Sequence, residues 1–239
     1  MLIAVPSKGR AGQTTTDKIL PNLSTWFVPS SEEHQYKGLY KNVVAVPKEV
    51  QGITATRNWI LKNTAEKWVV FLDDDAKNVG YTKLNKRKSE KIDIKDEGFW
   101  AEEFLKYFDL CEQLKYKIWG AKTEAAPRSV YPYKPILLKS YVTASCMGMI
   151  NDGEYYFDES YKVKEDYEIC LRHLKDKGGI LAIRYLHWEN DHWQKDGGCK
   201  DYRTIEMERQ AIKKLINQYP GMIRSAKRKA NEFTIALNL

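Results

Sequence analysis

Three consecutive carboxylates, Asp73, Asp74 and Asp75, follow the short apolar run from Trp68 to Leu72. The run shows no alternation, which is typical of a strand covered on both faces in a parallel sheet. Successive side chains of a strand point to opposite faces, so Asp73 and Asp75 should share one side and Asp74 the other. Two carboxylates at the carboxyl end of a strand repel each other unless a divalent cation neutralises them. The sequence therefore predicts a cation or ligand site here, and a polar turn with an Asp helix cap is the alternative.

A second acidic pair, Glu165-Asp166, begins a predicted amphipathic helix that Gly178-Gly179 ends. The apolar residues that follow lie at i, i+3, i+4 and i+7, on one helical face: Tyr167, Cys170, Leu171 and Leu174. A carboxylate at such a helix start can serve as a general base. The alternative is that Asp166 only caps the helix.

Basic residues follow two of the predicted strands. Ser7-Lys8-Gly9-Arg10 comes directly after a first strand, Leu2 to Val5, that Pro6 ends. Arg57 lies in the first turn of a helix for which Thr54 is the expected cap. A positive charge at a helix start is unfavourable without an anion nearby, which suggests a phosphate site. An ordinary strand-to-helix turn and a surface Arg paired with a carboxylate are the alternatives.

The elements that position these residues alternate between strand and helix. Strands at Trp26 to Val28 and Val43 to Val46 complete a β-α-β-α-β-α-β order in the first eighty residues, which predicts a mainly parallel central sheet flanked by helices. The strongly basic stretch Lys83 to Lys91 is expected to be a solvated surface loop, or else a phosphate-holding one. The later predictions are a helix from Asp96 to Lys115 with Trp100, Phe104, Tyr107, Phe108, Cys111 and Leu114 in the core, paired strands at Ile136 to Tyr141 and Cys146 to Ile150, a strand from Leu181 to Leu186, and a helix from Ile205 to Tyr219.

Composition narrows the functional class. The 239 residues fit one domain at 1–220 followed by a basic tail at 221–239. The net charge of +7 and pI near 9.0 suggest an acidic partner such as nucleic acid. The four cysteines show no CxxC spacing, which argues against a zinc cluster and fits a reducing compartment. No run is long enough to span a membrane, and the N-terminus reads as a strand rather than a signal sequence, so a cytoplasmic location is expected.

The order of these motifs resembles the GT-A glycosyltransferases. In that fold a DxD motif holds a metal, Mn²⁺ or Mg²⁺, that bridges the phosphates of a nucleotide-sugar; Asp73 and Asp75 match its ends. The triple Asp leaves the register open, so Asp74 could act where Asp73 is expected. Glu165-Asp166 matches the Glu-Asp motif of the family, which implies a catalytic role. The resemblance also implies a nucleotide-binding half at 1–80 and an acceptor and metal half at 96–220. A C-terminal His often completes the metal shell, and His192 is the first choice with His187 as runner-up.

A closer resemblance is to the phage TET-associated glycosyltransferases, carried by Pro6 to Arg10, Thr56 to Asn58, Leu72 to Asp75, Glu165 to Glu168 and His192 to Arg203. It implies transfer of glucose or a similar sugar from a UDP-sugar to 5-hydroxymethyluracil or 5-hydroxymethylcytosine in double-stranded DNA. The expected route is inverting, with a retaining route as the alternative, and the location is the host cytoplasm if the protein is viral. The residues implied in nucleotide-sugar binding are Pro6, Ser7, Lys8, Arg10, Arg57, Asp73, Asp74, Gly198 and Arg203.

The acceptor and the reaction class leave alternatives open. Aromatic residues in Tyr131 to Tyr133, or Trp188 and Trp193, could stack on a displaced base or simply pack in loops. A protein or polysaccharide acceptor is the alternative within the transferase class. A metal-dependent nuclease or phosphohydrolase using the three aspartates, and a non-catalytic nucleic-acid-binding protein, are the rivals outside it. No obligate protein partner is indicated.

Overall fold

The protein is described by a computed structural model that covers residues 1–85, 88–121, 134–190, 203–227 and 233–238. The strands are β1 Leu2–Pro6, β2 Ser24–Pro29, β3 Asn42–Val46, β4 Trp68–Leu72, β5 Ala76–Asn85, β6 Lys88–Asp93, β7 Ile118–Ala121, β8 Ile136–Leu137, β9 Cys146–Ile150, β10 Leu181–Ile183, β11 Leu186–Asn190, β12 Ile223–Lys227 and β13 Phe233–Leu237. The helices are α1 Glu33–Lys37, α2 Ile53–Asn63, α3 Glu97–Leu114, α4 Glu165–Lys177 and α5 Ile205–Gln218. None of the helices in these ranges is both long and apolar enough to cross a membrane.

The central sheet has eight strands in the order β3-β2-β1-β4-β9-β7-β10-β8. The strands β3, β2, β1 and β4 are mutually parallel, as predicted. The helix predicted between β1 and β2 is absent, because that segment contains only a three-residue 3-10 helix, Thr16–Lys18. Strand β9 lies antiparallel between β4 and β7 and joins the two halves of the sheet. The central sheet is therefore mixed, and its N-terminal half is parallel. Strand β4 lies at the centre of the whole sheet.

Strand β4 is buried on both faces, as its continuous apolar sequence predicts. Val70 and Leu72 belong to the core on the α3 side of the sheet, and Val69 and Phe71 belong to the core on the α2 and α4 side. These four side chains have no exposed surface. Burial on both faces fixes the strand firmly, so the residues that follow Leu72 leave the sheet at a fixed point.

Helix α3 confirms its predicted limits and most of its predicted core. Asp96 caps it, with the side chain accepting a hydrogen bond from the Gly98 N–H, and Trp100, Phe104, Tyr107, Phe108 and Cys111 are buried. Leu114 is the exception, because its side chain is 39% exposed at the last turn.

The basic stretch from Lys83 to Lys91 is not a loop. Strands β5 and β6 pair in antiparallel register from Gly80 opposite Asp93 to Asn85 opposite Lys88. The inner part of β5 also pairs with β11, which gives a three-stranded sheet beside the central one. The loop prediction is therefore wrong, since cross-strand pairing overrides the low strand propensity of a lysine-rich segment.

Three smaller predictions are also corrected. Strands β8 and β9 are not a pair, because β8 is only two residues long and pairs with β10. The predicted strand from Leu181 to Leu186 divides into β10 and β11, which belong to different sheets. Thr54 does not cap α2; Gly52 occupies the cap position, and the Thr54 hydroxyl donates to the Tyr161 carbonyl.

The segment after Pro220 folds onto the last helix. Strands β12 and β13 form a two-stranded ribbon whose Ile223 and Ile235 pack with the buried face of α5. That face comprises Ala211, Ile212, Leu215 and Tyr219, as its helical spacing predicts. The described part of the basic C-terminal segment is thus packed against the domain.

We expect Gly148→Ala to lower stability. Gly148 lies in β9, and a Cβ there would meet the Trp119 indole nitrogen at 2.0 Å. The indole is fully buried, so the overpacking should cost about 1–3 kcal/mol and lower Tm by roughly 3–10 °C. The control is Gly38→Ala, where no atom lies within 4 Å of the added Cβ. Equal melting temperatures for both variants would contradict the packing of β9 against Trp119.

Candidate active site

The three aspartates form a turn between β4 and β5, at the carboxyl edge of the parallel strands. The backbone of this turn is held by hydrogen bonds from several sides. Thr16 donates its hydroxyl to the Asp73 carbonyl at 2.7 Å and accepts from the Ala76 N–H at 3.1 Å. The Thr15 N–H donates to the Asp74 carbonyl, and the Asp73 N–H to the Ser145 carbonyl. The three carboxylates are therefore presented by a fixed backbone.

Asp74 points toward the loop after β1. Its carboxylate accepts from the Ser7 hydroxyl at 2.6 Å and from Arg10 at 2.6 Å. Arg10 also lies 3.7 Å from Asp75. Tyr36, which is fully buried, contacts both the Ser7 hydroxyl and the Arg10 N–H, so α1 holds this loop against the aspartates.

Asp73 and Asp75 share one partner on the last residue of β11. The Asn190 amide donates to Asp75 at 2.8 Å and to Asp73 at 3.3 Å. Asp73 and Asp75 therefore meet at Asn190, whereas Asp74 binds Arg10 on the other side of the turn. This arrangement agrees with the alternation predicted for the strand end. The Asn190 amide oxygen is buried and has no hydrogen-bond partner among the described residues.

Arg57 connects the aspartates to helix α4. Its guanidinium donates to Glu165 at 2.6 Å and lies 3.4 Å from Asp73. Only 4% of its side chain is exposed, and its charged end lies 5.9 Å and 5.6 Å from the ring centres of Phe71 and Phe157. A guanidinium in this setting is the fixed electrostatic link between the two halves of the site.

The two carboxylates of the Glu-Asp motif have different surroundings. Glu165 is buried against Arg57, whereas Asp166 is half-buried and accepts a hydrogen bond from the Tyr167 N–H. Neither residue is the helix cap, because Lys164 occupies that position with a left-handed backbone, φ 64°. The capping role considered for Asp166 is therefore excluded. Asp166 remains the more accessible of the two carboxylates.

Helix α2 positions the chain that leads into α4. The Asn58 side chain pairs with both backbone groups of Phe157, at 2.8 and 2.9 Å. One turn away, Thr54 holds the Tyr161 carbonyl. The motif Thr56-Arg57-Asn58 thus fixes the approach to Glu165 as well as the pairing of Arg57.

Burial in one cluster raises the pKa values of several carboxyl groups of the site. Burial raises the pKa of Asp73 above its ordinary range, and Arg57 opposes the shift while Asp75, Asp74 and Asp166 add repulsion. Burial also raises the pKa of Asp74, against Arg10. Burial and the neighbouring Asp166 raise the pKa of Glu165 to about 7, and Arg57 opposes them. Because Asp166 acts on both Asp73 and Glu165, its carboxylate lies within the same cluster.

This shift predicts a pH-dependent contribution of Glu165 to stability. Its folded pKa of about 7 exceeds its ordinary value of 4.5, so between these values the folded protein binds more protons than the unfolded chain. The contribution is fully present below pH 4.5 and is lost as the pH rises through about 7. Buried His173, whose pKa is lowered to about 4, changes in the opposite direction, so the wild-type curve alone is not the readout.

We therefore expect the Tm difference, wild type minus Glu165→Gln, to decrease between pH 5 and pH 8. A change of roughly 3 °C or more corresponds to about 1 kcal/mol in a domain of this size. Scanning calorimetry of both proteins at half-unit pH intervals gives this difference. A constant difference would show that Glu165 does not titrate in this range.

The donor set fits a divalent cation. Asp73 and Asp75 offer carboxylate oxygens that meet at Asn190, whose own oxygen is buried without a hydrogen-bond partner in the described ranges. Oxygen ligands of this kind suit Mn²⁺ and Mg²⁺. Within those ranges no three His, Cys, Asp or Glu side chains are grouped to hold a metal, so the described set is two carboxylates and an amide.

The remaining predicted site residues have different outcomes. His192 and Gly198, together with Trp193 and Tyr131 to Tyr133, lie outside the described residues. The Nε2 atom of His187, the runner-up ligand, lies 2.8 Å from Asp93 on β6. Trp188 is fully buried against Trp100 and Phe104 in the core, so it cannot stack on a displaced base.

The basic residues predicted to bind phosphate are distributed around the site. Pro6 ends β1, and Lys8 is exposed on the loop that Ser7 and Arg10 anchor. Arg203 donates to Glu208 at 2.6 Å, and Lys164 lies 3.0 Å from the same carboxylate. The structure therefore places Arg203 beside the residue that precedes Glu165.

Asn190 and Thr16 contact the aspartate turn although no sequence motif indicates them. Asn190 lies 115 residues from Asp75 in the chain, and Thr16 lies 60 residues from Ala76. The one signal in the sequence for Asn190 is its position at the end of a strand, because strand ends line binding sites in open α/β sheets.

Comparison with solved structures identifies the fold. The chain superposes on Staphylococcus aureus TarS 1–349 in complex with UDP-GlcNAc with a TM-score of 0.51 and 13% identity, covering 91% of this chain and 67% of that one. It superposes on the glucosyl-3-phosphoglycerate synthase of Mycobacterium tuberculosis, solved with Mn²⁺, UDP-glucose and glycerol 3-phosphate, with a TM-score of 0.54 and 10% identity, covering 94% and 83%. The chain thus spans about two thirds of the TarS segment. These similarities show a GT-A fold.

Sequence comparison identifies the family. No curated protein matches the chain significantly. The family model of the TET-associated glycosyltransferases matches residues 1–198. That range includes all three aspartates, the Glu-Asp motif and Asn190. The chain therefore belongs to the TET-associated glycosyltransferase family.

Proposed function

We propose that this protein transfers a sugar from a UDP-sugar to the hydroxyl of a hydroxymethylated pyrimidine, 5-hydroxymethyluracil or 5-hydroxymethylcytosine, in DNA. The observation that carries the proposal is the turn of three aspartates at the edge of a GT-A sheet, with Arg10, Arg57 and Asp166 gathered around it. Family membership supports the reaction class. The UDP-GlcNAc and UDP-glucose of the two neighbouring structures support the donor class.

The donor diphosphate is assigned to the aspartate turn and the loop after β1. Arg57 is buried and the Arg10 side chain is 14% exposed, and both pair with carboxylates. They can therefore share their charge with a diphosphate that arrives beside those carboxylates. Lys8, Arg203, Pro6, Ser7, Asp73, Asp74 and Gly198 complete the proposed nucleotide-sugar contacts. A divalent cation bound to Asp73, Asp75 and Asn190, with His192 as a further ligand, would stabilise the negative charge of the departing diphosphate.

Asp166 is assigned as the general base. The acceptor hydroxyl oxygen attacks the anomeric carbon, its proton passes to the Asp166 carboxylate, and the bond from that carbon to the diphosphate oxygen breaks to release UDP. One displacement of this kind inverts the anomeric centre. Glu165 does not contact the acceptor in this assignment; it holds Arg57 and fixes the helix that presents Asp166.

The DNA acceptor rests on charge and on access. The chain carries a net charge of +7, and the 5-hydroxymethyl group of either base lies in the major groove. A base that must leave the helix would add a few kcal/mol of unstacking and unpairing cost. We also propose a cytoplasmic location, that of the host if the protein is viral, because DNA and UDP-sugars meet there.

The test is mass analysis of nucleosides from DNA incubated with the protein, Mn²⁺ and a panel of UDP-sugars. The panel of acceptors includes duplexes with either hydroxymethylated base and an unmodified duplex. A hexose-sized mass gain on one modified base is the expected result. UDP release without a gain on DNA would assign a different acceptor, such as protein or polysaccharide. DNA cleavage without use of a UDP-sugar would instead indicate a nuclease.

A further inference from the structure

Helix α4, which presents Asp166, begins after a residue with an unusual backbone conformation. Lys164 lies in the left-handed region, with φ 64° and ψ 21°. Among the described residues, Lys115 is the only other non-glycine residue with a positive φ. A residue with a Cβ populates this region roughly five- to thirtyfold less than the right-handed one. The surrounding structure must therefore hold Lys164 in this conformation.

The conformation of Lys164 sets the direction in which α4 begins. The chain before it is fixed to α2, because the Thr54 hydroxyl donates to the Tyr161 carbonyl. After it, the first helical hydrogen bond runs from the Glu168 N–H to the Lys164 carbonyl at 3.1 Å. Since the chain is anchored before Lys164, a change in the sign of its φ would redirect the first turn of α4, and Asp166 with it.

The Lys164 side chain is bound by Glu208 on helix α5. The Nζ atom lies 3.0 Å from the Glu208 carboxylate, and the two side chains are only 11% and 9% exposed. Salt screens a pair with so little exposure much less than it screens a surface pair. The Nζ atom also lies 4.9 Å from the ring centre of Tyr167, in the first turn of α4. The ammonium group is therefore held between a carboxylate and an aromatic ring.

Helix α5 is itself fixed to the same segment, so it can act as a rigid support. The Tyr219 hydroxyl donates to Glu168 at 2.8 Å, and both residues are buried. The Tyr161 hydroxyl donates to Gln218 at 2.6 Å. Val163 belongs to the same apolar cluster as the buried face of α5. These contacts hold α5 against the chain on both sides of Lys164.

This support lies outside the residues that carry the family match. The family model matches residues 1–198, whereas α5 begins at Ile205. The Glu-Asp motif is thus connected, through Lys164, to a helix that the family match does not include.

We propose that Lys164 and Glu208 are positioning residues for sugar transfer. Their ion pair holds Lys164 in the left-handed conformation, and this conformation directs Asp166 toward the acceptor. The proposal rests on the proposed function for the role of Asp166, and it adds the contacts that position this carboxylate. Neither Lys164 nor Glu208 contacts a substrate in this assignment.

The test compares substitutions of Lys164 that differ in their preference for the left-handed region. Lys164→Ala removes the ion pair and keeps the cost of this region, whereas Lys164→Gly removes both. We expect the single-turnover transfer rate to fall at least fivefold in Lys164→Ala and to recover to at least half of the wild-type rate in Lys164→Gly. The Kd for UDP in the presence of Mn²⁺ should change less than twofold in both.

Lys164→Ser separates backbone conformation from helix capping. Serine is a good helix cap but does not favour the left-handed region, so its transfer rate should be as low as that of Lys164→Ala. Equal rates in the Ala and Gly variants, whether reduced or unchanged, would overturn the proposal. A weaker affinity for UDP in both would instead assign the ammonium group to the donor phosphates.

Lys115, with φ 59°, provides the matched control. It is exposed at the end of α3, and its N–H donates to the carbonyl of Glu112, whose side chain accepts from Trp68 at the start of β4. This is the end of β4 opposite to the aspartates. Lys115→Gly should have a higher Tm than Lys115→Ala, and both should transfer sugar at the wild-type rate. A rate difference between them would show that transfer follows overall stability rather than the start of α4.

Glu208→Gln tests the ion pair itself. Glu208 also accepts from Arg203 at 2.6 Å, and Arg203 is a proposed donor contact, so the substitution is made both in the wild type and in Lys164→Gly. We expect it to slow transfer at least threefold in the wild type and less than 1.5-fold in Lys164→Gly, because glycine needs no tether. Equal slowing in both backgrounds would assign the effect to Arg203 and overturn the role of the pair.

Hydrogen exchange at the Glu168 amide separates this proposal from the proposed function, because it needs no acceptor. This amide makes the first helical hydrogen bond of α4, to Lys164. We expect its exchange to be at least fivefold faster in Lys164→Ala than in the wild type and in Lys164→Gly. If the wild type transfers sugar to no DNA, the proposed function fails, and the exchange rates still decide whether the conformation of Lys164 fixes the start of α4. Equal exchange in all three proteins would overturn it.

Discussion

Arg57→Met should abolish sugar transfer and destabilise the fold. Removing one partner of a buried ion pair leaves the other charges uncompensated and costs about 3–5 kcal/mol. Here the partners are Glu165, at 2.6 Å, and Asp73, and the Arg57 side chain is only 4% exposed. We expect transfer to fall at least a hundredfold, since the same cation is assigned to the donor diphosphate. Urea denaturation and steady-state UDP release measure the two effects.

Two further variants show whether the loss of activity and stability in Arg57→Met comes from the charge or from the guanidinium geometry. Arg57→Lys keeps the charge but lacks the planar fork that reaches two carboxylates, so it should recover part of the stability and little of the activity. Lys62→Met changes an exposed charge on the same helix and should leave both unchanged within a factor of two. If Arg57→Met retains more than a tenth of the wild-type rate, Arg57 does not hold the donor.

Asp166→Asn should reduce the transfer rate by about a hundred- to ten-thousandfold, the usual contribution of a positioned general base. The structure makes this substitution selective. Lys164, not Asp166, is the helix cap, and an Asn oxygen can still accept the hydrogen bond from the Tyr167 N–H at 2.9 Å. Asn therefore keeps the shape and the local hydrogen bond and removes the ability to accept a proton.

The readouts for Asp166→Asn are the single-turnover transfer rate, the Kd for UDP in the presence of Mn²⁺ and the Tm. We expect the rate to fall while the Kd for UDP changes less than threefold. Loss of one charge from the cluster should leave Tm equal or higher, since Asp166 raises the pKa of both Asp73 and Glu165. Nearly full turnover would show that Asp166 is not the base.

The sequence predicted the parts of the fold that have a strong local signature. The apolar run before Asp73 specifies a strand buried on both faces, and helical spacing specifies α3, α4 and α5 within about a residue of their ends. The segments Lys83 to Asn85 and Lys88 to Lys91 were wrongly predicted as a loop, because their lysines have low strand propensity. Their antiparallel pairing stabilises them in spite of that composition.

The sequence predicted where the acidic residues lie in the fold, but not which residues they contact. Asp73 and Asp75 were expected at a strand end and Asp166 at a helix start, and the structure places them there. The pairing of Arg57 with Glu165 joins residues 108 apart, and Asn190 lies 117 residues from Asp73. No local pattern encodes contacts over such separations, since they depend on how the sheet brings strand ends together.

The two acids of the Glu-Asp motif differ in burial and in partner. Glu165 is buried against Arg57, whereas Asp166 is half-buried beside it. We therefore propose that Glu165 positions Arg57 beside the aspartate turn and that Asp166 acts on the acceptor. Under this proposal the motif divides into a positioning residue and a base.

The proposed donor site is tested most directly by the position of Mn²⁺ in crystals grown with UDP, located by its anomalous scattering. We expect one peak within about 2.0–2.4 Å of a carboxylate oxygen of Asp75, with Asp73 and Asn190 beside it and the UDP diphosphate on its other side. A peak at this position that disappears in Asp75→Asn would establish the aspartate turn as the donor site. Ordered UDP with its diphosphate elsewhere in the molecule would contradict it.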